Sequence, residues 1–345
     1  LTLEETDGSM QLSLLGAFAR ALTTAVADGN LLRVSGGADT AIKGTLYGAQ
    51  VEIERSDSDS AQANASGNRV EVSGIDLTGS ITGALVENRN SSGSVNAEGN
   101  VVVISSSEIE GNVTGANLLG SHINASGNTV ILGEGTVVNG NVTAVVGANA
   151  ELARSFGGEF SSTYGDNRVV MNNATVSGTV CAVSSDSGSL PVDVQTAGNT
   201  LVLAGHNEAG SIEGFESLDL TLSEQNKDQS VLTLTGGEST LSDATIVIRG
   251  ADVLEQGKLI EAIDNASLSV TDATVELRGT FIKKVAQNVG FTVTEGEGNG
   301  LTTDSDVFTS AKVQATESAS SLSESLLGTA AFVRQGAEFV ADDGL

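Results

Sequence analysis

Tryptophan is absent from this chain of 345 residues, proline and cysteine occur once each, and aromatic residues make up only 3% of it. A core of ordinary globular shape draws much of its buried area from large rings. So few of them argue for a thin core filled by Val, Ile, Leu and Ala. A single cysteine excludes an intramolecular disulfide and suits a chain that crosses a membrane unfolded. One proline beside 42 glycines is not the composition of a disordered segment, in which the two rise together. No run approaches the roughly 20 apolar residues of a membrane-spanning helix. Positive charge is scarce too: 16 Lys and Arg stand against 44 Asp and Glu, a formal net charge of −28. Nucleic acid is therefore excluded as a partner for the surface as a whole. The same charge favours solubility and opposes lateral aggregation. No secretory signal is visible, and the chain opens on Leu1 as an excised fragment would.

What is present is repetition. Residues 67 to 84 hold a Gly67-Asn68 turn, the alternating pair Val70 and Val72, and a second short strand inside Gly79-Ser80-Ile81-Thr82-Gly83-Ala84. The turn returns as Gly29-Asn30, Gly99-Asn100, Gly127-Asn128 and Gly198-Asn199, with Asp166-Asn167 as a variant. The second phrase returns from Gly44 and Gly111, more loosely from Gly140 and Gly178, and last from Gly210. Asn68 to Gly79, Asn100 to Gly111, Asn167 to Gly178 and Asn199 to Gly210 are each 11 residues apart. The return to the next turn varies far more. A fixed part and an elastic part, rich in glycine and without a 3.6-residue period, describe a coil of short strands. The expected fold is all-β: a right-handed parallel β-helix, with a short helix at the C-terminus.

Four segments follow. Residues 1–28 form an N-terminal rung or cap, with Leu12 to Ala17 as a worn copy of the second phrase; a helix over Met10 to Val26 is the competing reading. Residues 29–214 are the regular coil. Its inward positions include Leu32, Val34, Val70 and Val72, and Ile81, Val113, Val142, Val180 and Ile212 stack in one column. The turn asparagines Asn30, Asn68, Asn100, Asn128, Asn167 and Asn199 form a second column, whose amides are expected to bond from rung to rung. Cys181 occupies the slot of Thr82, Thr114 and Thr143, opposite in parity to the inward column, so it is expected to face outward and react with thiol reagents. The elastic loops, Arg55 to Ala63, Glu87 to Ser94, Glu151 to Tyr164 and Ser184 to Pro191, are expected to face solvent. Residues 215–314 close the coil with larger side chains, including Phe281, Phe291 and Phe308. Two phrases there, Asp243 to Gly250 and Asp272 to Gly279, lie 29 residues apart. Residues 315–345 carry a capping box at Ser321 and Glu324. Leu322, Leu326, Ala330, Val333, Ala337 and Val340 then recur at helical steps.

A Gly/Asn/Ser-rich β-helix, a more apolar closing section and a short Ala/Leu helix together resemble the passenger region of Gram-negative autotransporters, the type V secretion family. Phe215 to Leu220 and Leu254 to Ile260 resemble the closing section, which in that family acts as an autochaperone. Leu326 to Glu338 resembles the linker helix that threads a C-terminal outer-membrane barrel; the barrel is not in this chain. The resemblance implies display on the bacterial cell surface or release from it. It also implies an adhesin's partners: host cell-surface or matrix molecules, glycans, or further copies of the chain.

Sites for chemistry are sparse. Asp186-Ser187-Gly188-Ser189 has the form of a serine-protease nucleophile phrase, but a serine needs a histidine base and an orienting carboxylate. The two histidines, His122 and His206, stand in no such context. Asp57 and Asp59 in a Ser/Asp run suggest calcium, yet the Gly-Gly-x-Gly-x-Asp repeat of calcium β-rolls is missing. Cleavage of polysaccharide needs clustered carboxylates and aromatic platforms, and the tyrosines are only Tyr47 and Tyr164. No catalytic residue, cofactor or metal is therefore expected. Non-catalytic adhesion is the expected function, with a polysaccharide-degrading β-helix enzyme and a structural stalk for an absent N-terminal domain as the alternatives.

Overall fold

The computed structural model describes residues 10–11, 13–37, 40–54, 61–88, 93–120, 122–147, 161–185, 194–250, 257–279, 282–296, 300–308 and 311–315. Outside them lie Asp57 and Asp59, the Asp186-to-Ser189 phrase, Leu254, Phe281, most of the elastic loops, and the helix expected from Leu322 to Val340.

The described chain is a parallel β-solenoid of about seven turns, built as three sheets of 16, six and 12 strands. One rung shows the plan. Gln62–Asn64 lies in the six-stranded sheet, Arg69–Ser73 in the 12-stranded sheet, and Asp76–Thr78 with Ile81–Asn88 in the 16-stranded sheet. The next rung repeats it with Ser94–Asn96, Val101–Ser105, Glu108–Glu110 and Val113–Leu119. Each strand pairs in parallel with its counterpart one rung away, so every side chain sits over its equivalent. Residues 10–26 hold short strands that join the stack, and among the described residues there no helix forms.

Alternation within each strand sends every second residue into the core. Leu32, Val70, Val102, Val130, Val169 and Leu201 form one inward column of the 12-stranded sheet, and all are buried. In the 16-stranded sheet Leu46, Ile81, Val113, Val142, Val180 and Ile212 form another. All six are fully buried. A stack of aliphatic side chains of similar size fills the interior without aromatic rings, which is why the chain needs so few.

The corners explain the glycines. Gly67, Gly99 and Gly127 turn the chain between the six- and 12-stranded sheets at φ of 64°, 62° and 66°, where a Cβ is strained. Asp166 fills the same turn at φ 56°, as Asp can. The glycines of the second phrase answer to a different demand. A Cβ on Gly48 would lie 2.3 Å from the carbonyl oxygen of Gly83, and one on Gly83 equally close to that of Gly115. Here the walls of successive rungs approach too closely for any side chain.

The sequence pattern places two strands and a free loop in each rung; the structure has a third sheet. Gln62–Asn64, His122–Asn124 and Ser161–Gly165 take up chain that the loop reading leaves to solvent. Ala63 and Tyr164 are buried rather than exposed. The missed signal is the phrase Asn64-Ala65-Ser66-Gly67-Asn68, which returns as Asn96 to Asn100 and Asn124 to Asn128. Its alanines Ala65, Ala97 and Ala125 are fully buried.

The third sheet has its last strand at Val194–Ala197, so the section from Phe215 is built on the other two. Thr245–Arg249 pairs in register with Thr274 to Arg278, so the two phrases 29 residues apart are neighbouring rungs. The direction then reverses. Ile282–Thr294 runs antiparallel along Ser267–Arg278, and Lys312–Ala315 runs antiparallel to Ile282–Val285. An antiparallel strand satisfies the last parallel edge without continuing the coil, which closes this end.

Candidate functional site

The turn asparagines stand one above another along the first corner. Asn30 Nδ2 donates to Asn68 Oδ1 at 2.8 Å, Asn68 Nδ2 to Asn100 Oδ1 at 3.0 Å, Asn100 Nδ2 to Asn128 Oδ1 at 2.9 Å and Asn128 Nδ2 to Asn167 Oδ1 at 3.1 Å. The backbone N–H of Asn167 donates to Asn199 Oδ1 at 3.0 Å. Asn100 and Asn128 are saturated: Asn128 Oδ1 also accepts the Asn100 backbone N–H at 3.1 Å, Asn128 Nδ2 also donates to Ala97 O at 2.8 Å, and Asn100 Nδ2 also donates to Ala65 O at 2.9 Å. Asn68, Asn100, Asn128, Asn167 and Asn199 are fully buried, where an amide without partners is costly.

The ladder has a direction and an end. Each donor that bonds to the next asparagine points toward the C-terminal side, and the last rung finds Glu216, whose carboxylate accepts the Asn199 backbone N–H at 2.8 Å. An ionised carboxylate is acceptor-only, so it suits the place where donors arrive and nothing need be passed on. A second ladder runs the other way on the outside of the corner. Asn124 donates to Asn96 at 3.2 Å, Asn96 to Asn64 at 2.9 Å, and Asn64 to Asp28 Oδ2 at 2.7 Å. It too ends on a carboxylate. The sequence reading missed this second ladder and both terminators.

Cys181 is free but not accessible. It does share the column of Thr82, Thr114 and Thr143, yet all four are buried. Strict alternation fails at this bend, where Ile81, Thr82, Gly83 and Ala84 are buried in succession. The thiol Sγ donates to Val183 O at 3.2 Å. Burial, helped by the charge of Glu213, pushes its pKa up to about 12. Burial corrects the expectation of an accessible, reactive cysteine.

Other titratable groups lie apart. His206 Nδ1 sits 2.8 Å from Ser230 O, and its Nε2 lies 3.6 Å from Glu208 Oε1. His122 is at the start of the six-stranded sheet's strand His122–Asn124, on another side of the coil. Among the described residues no three His, Cys, Asp or Glu side chains are grouped as metal ligands would be. Tyr164 is buried in the core, so it offers no platform to a sugar. A cleft of about 830 Å³ opens at the closed end, between Phe291, Val293, Leu301 and Val307, with Lys258, Glu261 and Glu295 at its rim.

Charge divides by face. The outer positions of the 16-stranded sheet carry Glu52, Asp76, Glu87, Glu108, Glu110 and Glu208 against the basic Arg20, Lys43 and Lys258, of which Arg20 pairs with Glu52 at 3.3 Å. The 12-stranded sheet differs. Its strands from Leu31 to Arg278 carry five arginines and five carboxylates; Glu71, Asp219 and Glu276 are each paired with arginine, and Glu238 and Asp272 are exposed. Glu71 lies 2.6 Å from both Arg33 and Arg69, and hydrogen bonds from the two guanidinium groups hold its carboxyl below the usual range. Asp219 takes Arg249 through two nitrogens. Glu276 takes Arg278 and Lys283; burial alone would raise its pKa, but these hydrogen bonds outweigh that and hold it low. Between Glu71 and Asp219 the outward column is Val103, Ile131, Val170 and Val202. These four aliphatic side chains are half-buried on the outside of the coil.

Comparison with protein-family models, curated proteins and solved structures found no match.

Proposed function

We propose that this chain is an autotransporter-type passenger that works by contact rather than turnover, as a bacterial surface adhesin. The observation that carries the reading is the column itself: three regular faces of different chemistry, stacked in register over about seven turns. The 16-stranded face is predominantly acidic, the 12-stranded face carries an outward aliphatic column with balanced charge, and the six-stranded face is polar, with no Asp or Glu on its strands. Such a surface binds an extended partner through many weak, repeated contacts, because each rung presents its side chains about 4.8 Å from the last. The reversed strands at the C-terminal end fit the resemblance, in which a stable closing section precedes a linker to an outer-membrane barrel. Display at the cell surface or release from it, and host glycans, matrix or cell surfaces as partners, belong to this same proposal.

The discriminating experiment is a glycan array and a cell-binding assay run beside a screen for polysaccharide cleavage. Saturable binding without product formation is the expected result. Cleavage of any polymer that is abolished by changing one carboxylate, such as Glu208→Gln, would overturn it in favour of an enzyme.

A further inference from the structure

The 12-stranded face combines properties that the rest of the surface keeps apart. In a chain of net charge −28, the four rungs from Val101 to Ala204 place no carboxylate at any outward strand position of this sheet. Val103, Ile131, Val170 and Val202 form a ridge along its middle, and Arg168 is the sole charge beside it. The carboxylates that bound this strip, Glu71 and Asp219, are each neutralised by arginines on the same face.

We infer that this face is a homophilic contact, on which a second copy of the chain packs its own 12-stranded face. The inference deepens the adhesion reading and rests on it, by naming one partner. Charge selects the occupant. Two copies approaching through their 16-stranded faces bring Asp76, Glu87, Glu108 and Glu110 against their equals, and like charges so placed repel. Through the 12-stranded face they bring aliphatic β-branched side chains together, with internally paired charges at either end. A symmetric pair of such faces is isologous and closes on itself.

Size sets the strength. Four rungs at about 4.8 Å and five residues at about 3.3 Å make a strip on the order of 300 Å² per copy. A stable complex buries about 800 Å² per partner. One pair is therefore weak in solution and gains strength from many copies on facing surfaces. Long-range repulsion between the acidic faces weakens it further at low salt, where the Debye length is about 30 Å at 0.01 M and about 3 Å at 1 M.

The test is sedimentation of the full chain at rising concentration in low and high salt. Association that increases with salt, and is lost in Ile131→Glu and in Val170→Glu with unchanged melting, is expected. Val170→Thr keeps the branched shape and should weaken association partially, which covers the case in which the charged variants fold poorly. Phe18→Ser, at the exposed N-terminal rung, should leave association intact. Absence of association at any salt, association indifferent to the three changes at 131 and 170, or association abolished by Phe18→Ser would each overturn the inference. A chain that binds host material yet stays monomeric overturns this contact and leaves adhesion standing. A chain that associates through this face but holds neither cells nor ligands overturns the adhesion reading alone.

Discussion

Asn128 shows how much one residue carries in a stacked coil. Its side chain accepts from the backbone and amide of Asn100 and donates to Asn167 and Ala97. Asn128→Ala strands two donors of Asn100 in a dry corner, and each buried unpaired group costs roughly 1–3 kcal/mol. A loss of about 2–4 kcal/mol is expected in denaturant melts, against a few tenths for Asn139→Ala on the exposed face. A small cost for Asn128→Ala would show that the ladder is a by-product of packing. Cys181 supplies the second test at this scale. With its Sγ buried and its pKa near 12, the native thiol should resist an aromatic disulfide reagent at pH 8 and react at once in denaturant. Prompt native reaction would mean that the bend at Val180–Cys181 opens in solution.

Within the 12-stranded sheet, paired carboxylates tie stability to pH. Glu71 and Glu276 both have pKa values held below the ordinary glutamate value of 4.5. A depressed folded-state pKa stabilises the fold above the unfolded value, and that contribution is lost as pH falls through the folded one. Melting temperature should therefore hold from neutrality to about pH 5 and fall below about pH 4.5. Glu71→Gln should be less stable than the parent at pH 7 and lose less on acidification. Parallel pH curves for the two proteins would show that these pairs, exposed in part, contribute nothing measurable.

For the whole molecule the two ends differ. Reversed strands close the C-terminal end, whereas Leu15, Phe18, Leu22, Val26 and Leu31 are exposed near the N-terminal one. Solenoid stability is approximately a sum of neighbouring rung interfaces, and a capped end can hold its first rung without help. The closing section also buries larger side chains, among them Phe215, Leu218, Leu220, Ile246 and Ile248, and each contributes through buried apolar area at roughly 25 cal/mol per Å². Residues 215–345 are thus expected to fold alone, while residues 1–214 fold slowly or aggregate. Denaturant melts of the two pieces decide. Prompt cooperative refolding of 1–214 beside an unfolded C-terminal piece would remove the case for a templating end.

Sequence alone determined the coil, because each rung repeats one local grammar and the same physical demands recur every turn. Gly67-Asn68 with Val70 and Val72 reads as a corner and a half-buried strand without any knowledge of its neighbours. The 29-residue phrase spacing likewise placed Thr245 over Thr274. Only the tertiary structure decided where alternation stops. Cys181 is buried because the four successive residues Val180 to Val183 are covered at a bend, where alternation read from residue order no longer predicts exposure. It also decided the third sheet, since Gln62–Asn64 and Ser161–Gly165 become strands by pairing with each other's column rather than by their own composition. The ends of the ladders were hidden for the same reason. Asp28 and Glu216 are ordinary surface acids until the stack brings them to the places where a run of amides must finish.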